Sequence, residues 1–321
     1  IASIEGKRGE PRPRPPYPAV SGLWGKPTNV NNVKSYAIAT RIILNGPDWF
    51  SEIGTEKSTG TAVFALTGKI ENTGLIEVPM GITLREIIYD VGGGIPDKKE
   101  FKAVQTGGPL GGCLPVEALD TPVDFDSLTE AGATMGSGGM IVVDQDTCMV
   151  EFARYFLTFA SAESCGKCIP CRIGGQRLLE VLTRITSGEG KPEDLDEIER
   201  ISKYMQEGSL CALGQLTPGP VLASLRFFRE EYEQHVTEKF CQAGVCEGMF
   251  TFEIDPERCT GCGLCTRACT SEAIIGEKKV PHVINQAECI QCGACFDACR
   301  FSSIAVKSRS ETQAEAQPMP A

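Results

Sequence analysis

Two cysteine runs, CTGCGLCTRACT (Cys259 to Thr270) and CIQCGACFDACR (Cys289 to Arg300), constrain this chain more than anything else in it. Each reads C-x2-C-x2-C-x3-C. That spacing lets three thiolates on a tight loop grip one iron–sulfur cubane while the fourth reaches across to another. Two runs therefore predict two 4Fe-4S clusters, one on Cys259, Cys262, Cys265 and Cys299, the other on Cys289, Cys292, Cys295 and Cys269. Gly261, Gly263 and Gly293 supply the positive φ and close backbone approach that a loop wrapped round a cluster needs. Zinc is the competing reading, but it favours two well-separated pairs of ligands. A disulfide framework fits less well, because neighbouring cysteines in such loops point at a common centre. Thr270 and Arg300 stand where a proline often follows the fourth cysteine, a departure that leaves ligation intact.

A second cysteine group lies further upstream. ESCGKCIPCR (163–172) places three cysteines at C-x2-C-x2-C, and a single Cys211 follows in SLCALGQLTPG. Apolar periodicity predicts helices at Met149–Ala160 and Ile173–Ile185, a third through Leu195, Ile198, Ile201 and Tyr204, and a fourth at Val221–His235. Four antiparallel helices with short connections make a bundle. Its loops would bring Cys165, Cys168, Cys171 and Cys211 round a third cubane, with zinc as the alternative. A weaker signal is His235, Cys241 and Cys246 in HVTEKFCQAGVC. They read either as a helix-end histidine with two thiols or as ligands of a structural zinc at the junction with the ferredoxin-like region. His282, otherwise a surface strand residue, would be the fourth ligand, giving Cys2His2, with Cys113 less favoured. Cys113 and Cys148 are otherwise expected as buried apolar cysteines.

The remaining chain bounds the architecture. At 321 residues and 41% hydrophobic content it can hold two or three domains. No apolar run reaches membrane-spanning length, and no signal peptide opens the chain. Sixteen cysteines, mostly in metal-type spacing, favour a reducing cytoplasm. A formal charge of −11 argues against nucleic acid and fits docking with other redox proteins. The opening IASIEGKRGEPRPRPPYPA, with no initiator Met, reads as if the amino-terminal part of a larger protein were missing. Residues 1–60 look extended and turn-rich, with a short helix at Tyr36–Leu44; Asn29, Asn31 and Asn32 are turn formers or amides aimed at a ligand. Strands at 61–68, 74–79 and 102–108, with a Thr83/Glu86 capping box before a helix, suggest a β-grasp module. GGPLGGC (107–113) lacks the lysine of a phosphate loop. The segment 125–144 is expected as a return strand of the preceding domain, and 307–321 as disordered.

RPPYPA with GKPTNVNNV, and ESCGKCIPCR with the distal SLCALG, resemble the family of NADH-binding flavoproteins found in complex I and its soluble relatives. The resemblance covers nearly the whole chain. It implies an α+β multidomain fold: the C-terminal part of a flavin and NADH domain (1–60), a β-grasp insert (61–120), the return strand (121–146), a helical 4Fe-4S bundle (147–240) and a two-cluster ferredoxin-like domain (241–306). It further implies that Asn31 and Asn32 contact FMN, that Ala212 and Leu213 line the floor of that pocket, and that the helical cluster takes electrons from the flavin. The substrate would be NADH or NADPH. The ferredoxin-like appendage points to the soluble branch, such as the beta subunit of electron-bifurcating NAD(P)-linked iron hydrogenases or of formate dehydrogenase complexes. Partners would be a hydrogenase or dehydrogenase catalytic subunit, a small thioredoxin-like 2Fe-2S subunit and ferredoxin. The family's flavin and nucleotide loop, GRGGAGFP, does not occur in the chain, so an NADH site is not expected to be complete here. A complex I-like dehydrogenase component, a non-catalytic iron–sulfur wire and a zinc-stabilised scaffold are the other readings.

Overall fold

The structure, a computed structural model, describes residues 1–246 and 248–308. The tail expected to be disordered lies outside the described residues from 309 onward.

Prolines keep the first thirty or so residues irregular. Helix α1 (Val33–Asn45) begins where the Asn32 side chain accepts a hydrogen bond from the Lys34 N–H at 2.9 Å, and it stops at Gly46. Helix α2 (Pro47–Ser51) follows directly. No residue of α1 is buried.

The sheet begins at β1 (Thr61–Gly68), which pairs antiparallel with β2 (Gly74–Pro79), Thr61 facing Pro79. Alternation along β1 buries Ala62, Phe64 and Leu66 while Val63 stays exposed. The expected capping box is formed: Glu86 accepts from the Thr83 N–H at 2.9 Å and the Thr83 hydroxyl accepts from the Glu86 N–H at 3.2 Å. The turns it starts are wide, i to i+5, over Glu86–Val91, and they press Ile87 and Ile88 into the core. Strands β3 (Phe101–Thr106) and β4 (Cys113–Pro115) form the next antiparallel pair. In the turn between them a Cβ on Gly111 would lie 1.6 Å from the Thr106 carbonyl oxygen. These glycines serve a close backbone crossing. Helix α3 (Phe125–Glu130), capped by Asp124, leads to β5 (Gly139–Asp144).

The strand order is β2-β1-β5-β3-β4, with β5 parallel to β1 and antiparallel to β3. The segment expected as a separate return strand is thus the centre of this sheet. The physical reason is its composition: Met140, Val142 and Val143 are all buried, and a strand apolar on both faces needs neighbours on both edges and cover on both sides.

Helices α4 (Met149–Ala162), α5 (Gly175–Thr186), α6 (Glu193–Gly208), α7 (Ala212–Leu216), α8 (Gly219–Phe227) and α9 (Arg229–Glu233) come next. The single helix expected at Val221–His235 is interrupted at Phe228 (φ −127°, ψ 37°) and then opens into wide turns over Gln234–Glu238. The chain forms two compact units, one of residues 1–147, 152–179 and 198–227, the other of 148–151, 180–197 and 228 onward. The stretch 147–240, read as one bundle, is therefore shared between them.

In the second unit β6 (Phe250–Ile254) pairs with β9 (Ile304–Ser308), and β7 (Ile274–Ile275) with β8 (Val283–Ile284). Short helices α10 (Leu264–Ala268) and α11 (Ala294–Ala298) pack on each other. Both begin at a glycine in the left-handed region, Gly263 at φ 73° and Gly293 at φ 76°. The two halves repeat each other, as in ferredoxin-like folds.

Candidate metal centres

The first cysteine set is built where a loop meets two helix ends. Cys165 and Cys168 lie in the loop before the wide turn Pro170–Gly174, Cys171 lies within that turn, and Cys211 is the residue that opens α7. Gly214 sits so close that a Cβ would meet the Cys171 side chain at 2.8 Å and the Ser209 hydroxyl at 2.5 Å, which joins α7 tightly to the loop. Burial pushes the Cys171 thiol up, and charge on Cys168, Cys211 and Cys165 adds to this beyond the relief given by Ser164. Burial also acts on Cys168, but backbone N–H groups of Leu210 and Cys171 and the Ser209 hydroxyl outweigh it and hold that thiol low. The four groups feel one another, and N–H donors surround them; both are properties of a cluster cradle. Lys167 pairs with Glu10 at 2.8 Å, tying the amino-terminal segment to the same loop.

The first ferredoxin-like set crosses between the two runs. Cys259, Cys262, Cys265 and Cys299 line one cavity, although Cys299 belongs to the second run. Cys289, Cys292 and Cys295 interact electrostatically, and burial followed by the Cys289 charge pushes Cys295 up to about 11. Cys269 ends α10 as Cys299 ends α11. For both, burial is outweighed by a serine hydroxyl and several backbone N–H groups, which favour the thiolate. Cys262 and Cys292 are exposed, so both sites approach the surface.

The third group is compact, and one member differs from the expected set. Cys148, His235, Cys241 and Cys246 are all buried, with ligand atoms within 4.8 Å of one another. Cys148 Sγ lies 3.7 Å from Cys246 Sγ, and His235 Nε2 lies 3.4 Å from both sulfurs. Tetrahedral zinc bonds of about 2.3 Å to sulfur and about 2.05 Å to nitrogen require about 3.8 Å between sulfurs and about 3.6 Å from sulfur to nitrogen. The donor set fits a single zinc ion. His235 Nδ1–H donates to the Glu231 carbonyl at 2.6 Å, which turns Nε2 towards the thiols. Burial disfavours a charged imidazole, yet the Cys148 and Cys241 thiols reverse this and push His235 up to about 10. Cys241 is held far below the usual thiol range by hydrogen bonds from Cys148 and Cys246, while Cys246 is held far above it. No other described cysteine, histidine or acidic group is drawn this close around a single-ion position.

His282 is not in this group, nor is Cys113, which belongs to β4. His282 instead lines the cavity of Cys259, Cys262, Cys265 and Cys299. The reason is topological: it directly precedes β8, whose pairing with β7 holds it beside the first cysteine loop. Cys148 was missed because it lies 87 residues from His235. Its one sequence signal is its place immediately before an apolar helix.

Asn31 donates to Asn29 at 2.6 Å, and Asn32 caps α1, so both amides have local partners. At the start of α7, Ala212 is exposed and Leu213 half-buried. Among the described residues no helix is long and apolar enough to cross a membrane.

These features define a protein of the iron–sulfur class with a ferredoxin-like 4Fe-4S domain. Three family models match: the NADH-ubiquinone oxidoreductase-F iron-sulfur binding region over residues 151–235, the 4Fe-4S dicluster domain over 251–300 and the SLBB domain over 63–114. The HndC component of the NADP-reducing hydrogenase of Solidesulfovibrio fructosivorans is 57% identical over 282 residues, covering 88% of this chain and 58% of that protein. The NuoF-type component of an NADH-quinone oxidoreductase of Rhizobium meliloti is 42% identical over 241 residues, covering 75% of this chain and 57% of its own length. The crystal structure of an NAD+-reducing NiFe-hydrogenase in the H2-reduced state superposes with a TM-score of 0.67 at 33% identity, over 73% of this chain and 40% of that one. The chain carries the NADH-ubiquinone oxidoreductase-F iron-sulfur binding region and a 4Fe-4S dicluster domain, is similar to these NuoF-type and HndC-type proteins over most of its own length, and spans a little over half the length of the curated relatives it matches.

Proposed function

We propose that the chain is the electron-relay portion of a subunit in an NAD(P)-linked hydrogenase complex. Three 4Fe-4S clusters would be held by Cys165, Cys168, Cys171 and Cys211, by Cys259, Cys262, Cys265 and Cys299, and by Cys289, Cys292, Cys295 and Cys269. A structural zinc would be held by Cys148, His235, Cys241 and Cys246. The observation that carries this reading is the convergence of Cys299 with three cysteines of the other run in one cavity, the crossed arrangement of a two-cluster ferredoxin. Such clusters pass single electrons, so a hydride donor needs a two-electron splitter, and in the whole protein FMN serves that role between NAD(P)H and the clusters. Asn31, Asn32, Ala212 and Leu213 belong to the flavin side of this reading. The hydrogenase branch is favoured over the quinone-reductase branch because the match to HndC runs over 282 residues against 241 for the Rhizobium meliloti protein. A hydrogenase catalytic subunit, a small 2Fe-2S subunit and ferredoxin are the partners, and electron bifurcation in the cytoplasm is the finest form of the proposal.

Anaerobic purification followed by metal, sulfide and flavin counting tests it. About twelve irons and twelve sulfides with one zinc per chain are expected from three cubanes and one tetrahedral site. Four irons or fewer, with zinc at several sites, would sink the relay.

A further inference from the structure

His282 is a histidine without a task in the scheme above. It is 4% exposed, and its Nδ1 is buried with no hydrogen-bond partner. An unpaired buried polar nitrogen destabilises the fold, so its presence calls for a partner that is not protein. The side chain lines the cavity shared by Cys259, Cys262, Cys265 and Cys299. The opposite side of the ring is closed: a Cβ on Gly276 would lie 2.7 Å from His282 Cγ and 2.8 Å from Cδ2. Gly276 thus packs on the Cγ–Cδ2 side of the ring, and Nδ1 is the buried ring atom in need of a partner.

The repeat within the domain supplies a comparison. Cys259 and Cys289 open equivalent runs, and the same offset carries His282 onto Phe252. Phe252 packs against Phe296 on the second run, with ring centroids 6.0 Å apart, and has no polar side-chain atom to offer. One site of the pair therefore has a buried nitrogen beside its cysteines, and the other has a hydrocarbon ring.

We propose that His282 donates its Nδ1–H to a sulfur of the cubane on Cys259, Cys262, Cys265 and Cys299, making that centre the higher-potential member of the pair. A cubane becomes more negative when reduced, so an N–H donor at its sulfur favours the reduced form. The electron rests on the first-run cluster, and the second-run cluster is the one it leaves. His282 is a positioning residue for charge. The inference rests on the cluster reading above.

The test is an EPR-monitored redox titration of the full chain with all clusters loaded, comparing wild type with His282→Phe and His282→Asn. Phenylalanine copies the other half of the repeat, while asparagine keeps an N–H near the place of Nδ1. Wild type is expected to show two ferredoxin-type centres of separate potential. His282→Phe should lower one of them by about 59 mV, a tenfold change in electron partition for a one-electron couple, and His282→Asn should restore most of it. Pulsed EPR on wild type labelled with 15N-histidine, which needs no variant, should show the ring nitrogen coupled to one reduced cluster only. Unmoved potentials in His282→Phe at full iron content, or an absent nitrogen coupling, would overturn the assignment to His282. Fewer than eight irons in the purified wild-type chain would instead overturn the cluster reading beneath it.

Discussion

At the scale of single residues, the decisive contacts are those between thiols and their nearest N–H and O–H donors. Cys148 is the sharpest case. If it is the fourth zinc ligand, Cys148→Ser should abolish stoichiometric zinc, while His282→Asn should keep it; zinc counted by atomic absorption on both variants decides between the two histidine-containing sets. The loss should lower stability by several kcal/mol, since a structural zinc site contributes directly to folding. The proposed cubane ligands could be grouped from sequence because C-x2-C-x2-C places its cysteines within one loop, where spacing determines geometry. Cys148 was not readable, because its partner histidine is 87 residues on and no local spacing relates them. His282 was misassigned for a similar reason. Histidine is rare in this chain, with two in total, and a rare ligand type near a cysteine pair invites pairing by elimination, whereas strand β8 directs it elsewhere.

Among the elements, helix ends carry most of the specificity. The Thr83/Glu86 capping box appeared as expected, and Thr83→Ala should cost about 1 kcal/mol of unfolding free energy, read as a lowered denaturant midpoint of the sheet unit. The α5–α6 connection depends on charge. Asp194 is 4% exposed, accepts from the Lys191 N–H at 2.8 Å, and is bonded through both carboxylate oxygens to Arg184. Burial raises its pKa, but Arg184 and the Lys191 N–H outweigh this and hold it below the ordinary value. A carboxylate depressed on folding stabilises the fold above its unfolded pKa of about 3.9, and that contribution is lost as pH falls through the lower folded value. Asp194→Asn should therefore cost about 2 kcal/mol at neutral pH, and the difference from wild type should shrink below about pH 4. A gap that stays constant from pH 7 to pH 3 would assign the effect to packing alone. Strands β1 and β2 were legible because their alternation and turn glycines are local. The central place of β5 and the break at Phe228 were not. The first depends on which edges remain free after β1 and β3 have formed, and Phe228 continues the apolar phase of its helix, so periodicity gives no sign of a change in direction.

For the whole molecule, the division into two units would make a metal bound by Cys148, His235, Cys241 and Cys246 a local staple with long reach. All four residues belong to the second unit, yet Cys148 is far in sequence from the rest, so metal binding there closes a chain loop of 87 residues between Cys148 and His235. Closing so long a loop removes unfolded-state entropy, and a metal bound only by the folded state stabilises that state by mass action. The stabilisation belongs to the unit that contains the ligands. Removing zinc with a chelator mild enough to leave the iron count unchanged should therefore act unevenly. Hydrogen exchange read peptide by peptide should quicken in 148–151, 180–197 and 228–246, while β1, β3 and β5 in the first unit keep their protection. Readdition of zinc should restore the slow exchange, and Cys148→Ser should reproduce the chelated pattern with no chelator present. If protection falls equally in the sheet and in 228–246, the four residues do not act as a staple of one unit. If it falls nowhere, they do not bind the metal that their spacing and buried, hydrogen-bonded imidazole are arranged to hold.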